Sequence, residues 1–280
     1  MRVSPPKIFP VATRAARPPM SAQGSSDAYR QTAFMLGDEL EAVVESMNWE
    51  GAAASASSGA KFRRQQTAAG LGLWSRSWLY RLQALHALEW GNYVAAMPLI
   101  RAAADAAGGL LYLLRQEMSE WSDWLGEGGV ALAPELHAME FRLHAFRAAE
   151  ALAGDPVLGP IYRISTDLAL PHFGTTLLLA GGDSDPERIA MTFGDRDFHV
   201  GFAELLLGWL SALSAWHGRL VASYPSVFAM PGDQDVATLD ALANKTGRCH
   251  IEIIEIDGAS RYLVHNLRRS AGAAPKRILL

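Results

Sequence analysis

The stretch Tyr93-Val-Ala-Ala-Met-Pro-Leu-Ile-Arg101-Ala-Ala-Ala-Asp105-Ala-Ala-Gly-Gly-Leu-Leu-Tyr-Leu-Leu114 decides the fold. Its charged side chains are Arg101 and Asp105, one helical turn apart. A helix apolar on every side is a buried helix, so the chain reads as a helical protein with this segment at its centre and an enclosed ion pair upon it. Arg carries five donors, more than one Asp accepts, so further groups must complete the set. Tyr162, Ser165 and His172 are polar residues in apolar surroundings, and polar groups inside a bundle need partners. They are expected to converge on Arg101 and Asp105. The arrangement then serves either as a hydrogen-bond network that holds helices in register, the preferred reading, or as a pocket for a small anion or phosphate.

Outward from this segment, apolar residues at helical spacing predict a helix over 27–49, with Ser26 or Asp27 as its cap. An Ala/Ser/Gly linker is expected over 51–60, followed by a helix over 61–90 that ends at Gly91-Asn92, residues suited to a left-handed turn. Pro98 implies a kink, or a helix start near Met97. Beyond Trp121 and Trp124, a loop runs from Gly126 past Pro134, and a helix is predicted over 135–153, stopped by Gly154-Asp155-Pro156. Helical pattern resumes from Val157 to Leu168 and, after Pro171, to Ala180. Residues 188–193 read as a short strand and 198–224 as a strongly apolar helix. The C-terminal part differs in kind: Cys249–Ile256 is β-branched and alternating, Asp257-Gly258 is a tight-turn dipeptide, and Arg261–Leu267 alternates again. The expected fold class is mainly α, a helical bundle over 27–224 with a small C-terminal β-hairpin within 225–280, after a disordered N-terminal extension over 1–26.

With 280 residues, half of them hydrophobic, the chain can bury a large core. Twenty-five Lys plus Arg against 29 Asp plus Glu leave a net charge of -4, which excludes a global attraction for nucleic acid or anionic lipid and predicts no DNA partner. Charge is uneven, because no acid follows Asp257 whereas Arg261, Arg268, Arg269, Lys276 and Arg277 do. The single cysteine, Cys249, excludes an intrachain disulfide and a multi-cysteine zinc site, which fits a reducing cytoplasm. No apolar run reaches the roughly 18 uncharged residues of a membrane span. The proline-rich, basic N-terminus lacks the apolar core of a secretory signal, and Met20 is an alternative start to Met1.

Leu85-His86-Ala-Leu-Glu89-Trp90 is echoed by Leu136-His137-Ala-Met-Glu140-Phe141. His and Glu three residues apart share a helix face, so His86, Glu89, His137 and Glu140 on paired helices are candidate metal ligands. Carboxylate-bridged bundles use the reverse order, Glu-x-x-His, and packing is the preferred reading. No cofactor is expected.

Arg81-Leu-Gln-Ala-Leu-His86 has the Arg-x4-His spacing of the HEPN ribonucleases, with Leu82 where that family usually has a polar residue. Gly91-Asn-Tyr93-x-x-Ala96 leading into Leu99-Ile100-Arg101 and Asp105, then Tyr162, Ser165 and His172, resembles uncharacterised bacterial all-helical proteins allied to the HEPN superfamily. The likeness covers about 74–180. It implies a helical bundle, dimerisation and an association with defence or toxin systems. The same Gly-x-Tyr-x-x-Ala occurs in tetratricopeptide hairpins, but no second copy follows at the ~34-residue period. The expected function is a binding or interaction module, homodimeric through its apolar helices, for a partner or an anionic ligand. Alternatives are a metal-independent HEPN-like ribonuclease acting on RNA through Arg81 and His86, and a metal-binding bundle.

Overall fold

The computed structural model describes residues 11–57, 65–115, 145–181, 184, 187–232 and 234–280. The chain is mainly helical: α1 (Gln23–Met35), α2 (Gly37–Ser57), α3 (Gln65–Glu89), α4 (Tyr93–Leu114), α5 (Ala145–Ala153), α6 (Leu158–Ala169), α7 (Phe173–Ala180), α8 (Val200–Ser223) and α9 (Val236–Ala243). A small antiparallel sheet follows, with β1 (His250–Ile256), β2 (Ala259–Leu267) and β3 (Lys276–Leu279) in that order. The predicted hairpin is thus present and has a third strand on its β2 edge.

Helix α4 packs against α3, α5, α6 and α8, and α8 packs in turn against α2 and α9. Ile100, Ala103, Ala104, Ala107 and Leu110 give α4 a wholly buried stripe, and α8 is buried along nearly its full length. Among the described residues, α4 is the helix long and apolar enough to cross a membrane by length and composition; here its apolar stripe faces protein. Small residues permit the close approaches. A Cβ at Gly108 would lie 2.8 Å from Leu152 of α5, and one at Gly159 would lie 2.8 Å from the Ala153 carbonyl oxygen.

The turn between α3 and α4 forms as its sequence predicts. Gly91 has φ +71°, and the Asn92 side chain accepts the Ala95 N–H at 3.3 Å to cap α4. Helix α4 therefore starts at Tyr93, with Pro98 inside it. A Cβ on Gly91 would stand 2.2 Å from the Arg196 carbonyl oxygen and 2.9 Å from Ala28 Cβ. Gly91→Ala is expected to lower unfolding free energy by about 2–4 kcal/mol, combining left-handed strain with overpacking against backbone. Urea denaturation measures this, and a loss below about 0.5 kcal/mol would contradict the packing described.

Other expectations require correction. Helix α2 continues to Ser57 through the supposed linker, because alanine is a strong helix former and the Ser55 and Ser57 hydroxyls donate back to the Gly51 and Ala53 carbonyls. Residues 188–193 form no strand; they fold back irregularly, with Thr192 N–H on the Ala180 carbonyl at 2.8 Å. The N-terminal extension is not disordered over 11–26, since Ala12 and Ala15 are buried and α1 begins at Gln23. The basic tail is partly neutralised: Arg268 pairs with Glu204 at 2.6 Å and Arg269 with Asp195 at 3.3 Å. Of the helix predicted over 135–153, the described part is Ala145–Ala153; the rest, with the loop after Trp124, lies outside the described residues.

Candidate functional site

A guanidinium is enclosed at the centre of the bundle, but it belongs to Arg81 rather than Arg101. Arg81 lies in the α3 stripe Trp74, Trp78, Leu85 and Leu88, and Glu50 continues the α2 stripe of Leu40, Val43 and Met47, so packing these two apolar faces buries the two charges together. Both side chains are 0% exposed. Arg81 Nη1 donates to Glu50 Oε1 at 2.6 Å and to Ser214 Oγ at 2.8 Å, while Nη2 donates to Glu50 Oε2 at 2.8 Å. Trp74 Nε1 donates to the same carboxylate at 2.7 Å and its ring stacks on His217. Burial pushes the Glu50 carboxyl up, yet the Arg81 charge and hydrogen bonds hold it below its ordinary value. Burial, then the Arg81 charge, pushes His217 down to about 4.

Arg81 is accordingly a structural residue whose donors are taken up inside the protein. His86, its candidate partner in RNA cleavage, is five residues on, about 140° around the helix, and its Nε2 lies 2.8 Å from the Thr13 carbonyl oxygen. The structure does not bring the two to one phosphate.

His86 and Glu89 instead hold the segment 11–16. Asn48 accepts the Ala12 N–H at 2.8 Å and donates to the Ala12 carbonyl at 3.2 Å. Buried Glu89 accepts Arg14 Nε at 2.5 Å and the Ala15 N–H at 2.6 Å, and Trp90 Nε1 donates to the Ala16 carbonyl at 2.9 Å. These contacts satisfy the side chains proposed as metal ligands. His137 and Glu140 lie outside the described residues, and among the described residues no three His, Cys, Asp or Glu side chains group as metal ligands.

Arg101 and Asp105 face solvent, which overturns the enclosed pair expected there. The face of α4 that carries them is lined with alanine and glycine, and it reads as apolar although, among the described residues, no large side chain covers it. Between α3, α4, α5 and α6 a groove of about 910 Å³ opens, floored by Ala102, Ala106 and Gly109. Arg76, Tyr80, Asp105, Tyr162, Arg163 and Asp167 stand around it. Arg76 Nε donates to the Tyr80 hydroxyl at 3.2 Å. Arg101 Nη2 donates to the Tyr162 hydroxyl at 3.2 Å, and its guanidinium lies 5.3 Å from that ring centre, a cation–π distance. The Tyr262 hydroxyl from β2 donates to Asp167, and burial together with that carboxylate pushes the phenol up to about 12.

Of the five expected ligand residues, Tyr162 and Asp105 line the groove and Arg101 rests on Tyr162. Ser165 is buried and donates back to the Tyr162 carbonyl at 3.2 Å. His172 is exposed before α7, where its carbonyl accepts the Thr175 and Thr176 hydroxyls. The sequence reading missed Arg76, Tyr80, Arg163 and Asp167. A signal existed for the first two, since Arg and Tyr four apart share a helix face.

Fold and groove define a mainly helical protein with a small antiparallel sheet and an open cleft of mixed polarity. No family model, curated protein or solved structure matches the chain.

Proposed function

We propose that the chain is a binding module whose ligand surface is the groove between α3, α4, α5 and α6, and that it takes an elongated amphipathic anion. The observation that carries this is the floor at Gly109, where an added Cβ meets nothing within 4 Å among the described residues although the residue lies low between helices. Small-molecule sites are concave, largely apolar and ringed by a few placed polar groups. Here Arg76 and Arg163 line the groove with Asp105 and Asp167, and Asp167 also accepts the Tyr262 hydroxyl. Two arginines and two carboxylates thus line the groove, and the cationic excess beside it comes from Arg101, held on the lining residue Tyr162. The tyrosine faces add an aromatic wall for a flat ligand body.

Anilinonaphthalene sulfonate, a flat apolar body with one sulfonate, is the probe. It is expected to bind one saturable site and brighten. Gly109→Leu puts a side chain into the open floor and is expected to weaken that binding by about tenfold or more, a loss of at least 1.4 kcal/mol. The helix should not suffer, because glycine inside a helix costs about 1 kcal/mol relative to alanine. Equal probe affinity in the folded Gly109→Leu chain would refute the reading.

A further inference from the structure

The N-terminal segment is held as a bound peptide is held. Four side chains from α2, α3 and the turn after α3, namely Asn48, His86, Glu89 and Trp90, contact the main chain of residues 12–16 at both N–H groups and carbonyls. Recognition through the main chain gives affinity, and side-chain positions give selectivity. Selectivity here comes from Arg14 on buried Glu89 and from Ala12 and Ala15, whose small side chains are buried at 3% and 5% exposure. The cradle thus fits an extended segment of pattern small-x-Arg-small.

None of these contacts requires arm and cradle to lie on one chain. The arm leads to α1 through Arg17-Pro18-Pro19, where proline fixes φ and restricts the residue before it. Short, stiff hinges favour exchange of an identical element between copies. We propose that the cradle takes residues 12–16 of a second copy, joining two chains as an arm-exchanged dimer. The surroundings suit a second copy. Met20, Trp90, Val94 and Phe193 are 72%, 36%, 62% and 106% exposed. Trp90, Val94 and Met20 lie at the arm's exit, since Trp90 holds Ala16, Val94 opens α4 just after it and Met20 follows the hinge; Phe193 precedes by three residues the Arg196 that lies against Gly91. Together with the arm they give a second copy apolar surface to cover, as a stable interface of ~800 Å² per partner requires.

Two full-length variants test this, Arg14→Glu and Glu89→Arg. Each places like charges at its own arm and cradle, whereas exchange between the two restores opposite charges in both cradles. Sedimentation of the mixture is expected to show a heterodimer at least tenfold tighter than the self-association of either variant. A mixture of folded chains that stays monomeric at about 100 μM, or a dimer equally strong in each variant alone, overturns the proposal. Should Glu89→Arg fail to fold, a labelled peptide of residues 11–18 is titrated into full-length Arg14→Glu, whose cradle is intact. Binding at least tenfold tighter than to the wild-type chain is expected, because the wild-type arm competes at high effective concentration; no binding to this variant overturns the proposal.

Discussion

Replacing Arg81 by alanine is expected to lower the free energy of unfolding by about 3–5 kcal/mol, because removal of one partner leaves the other charge buried and uncompensated. The stranded group is Glu50, 0% exposed and still facing Trp74 Nε1 at 2.7 Å. Ser214 and Ser77 lose the guanidinium as well. A pair of substitutions should be far milder. Arg81→Met with Glu50→Gln removes both charges, keeps similar volumes and leaves an amide oxygen for Trp74, so the loss is expected to stay within about 2 kcal/mol. Urea denaturation of the single and double variants measures the coupling between the sites. If Arg81→Ala alone costs less than about 1 kcal/mol, the guanidinium does not occupy the enclosed position described.

Acid is expected to destabilise the protein in a window set by two buried imidazoles. Burial pushes both His217 and His199 down to about 4, in each case reinforced by a neighbouring guanidinium, Arg81 for the first and Arg269 for the second. Unfolded histidine titrates near 6.5, so between these values the unfolded chain binds more protons than the folded one and stability falls as pH falls. The contribution is complete above about 6.5 and exhausted below about 4, with a maximum of about 3 kcal/mol for each ring. Glu50 extends the loss to lower pH, since its carboxyl is also held below its ordinary value. His217 Nδ1 donates to the Leu213 carbonyl at 2.8 Å and Nε2 is buried with no hydrogen-bond partner among the described residues. An incoming proton would therefore be enclosed beside Arg81. Unfolding free energies between pH 7.5 and 4 provide the measurement, and His217→Gln should flatten the profile by about half. A flat wild-type curve over that range would refute both depressed values.

The two titrations also bear on ligand binding, because Arg81 and His217 belong to the core beneath α3 whereas the proposed groove lies on the outer side of α3 and α4. Gly109→Leu should therefore change probe binding while the acid profile stays that of the wild-type chain.

Sequence alone determined most element types, though not the helix that continues over 51–57, the irregular segment 188–193 or the third strand. Helical periodicity, the Gly91-Asn92 stop and the Asp257-Gly258 turn between alternating runs are local signals, carried by backbone preferences that act within a few residues, and the structure has the corresponding helices, turn and hairpin. The enclosed arginine expected from the sequence was Arg101, and the structure instead leaves Arg101 in solvent and encloses Arg81. Arg101 sits among alanines, and a small side chain is compatible with a buried surface and with an open groove floor alike. Arg81 sits among Trp74, Trp78, Leu85 and Leu88, large side chains that must be covered. Which apolar face is covered depends on the partners that reach it, and these lie far off along the chain: Glu50 is 31 residues from Arg81 and Ser214 is 133. The same holds for the arm, whose cradle is 36 to 75 residues away. Tertiary structure therefore decided which charge is core, which is rim and where the groove opens, because burial is a property of assembled surfaces and not of any one segment.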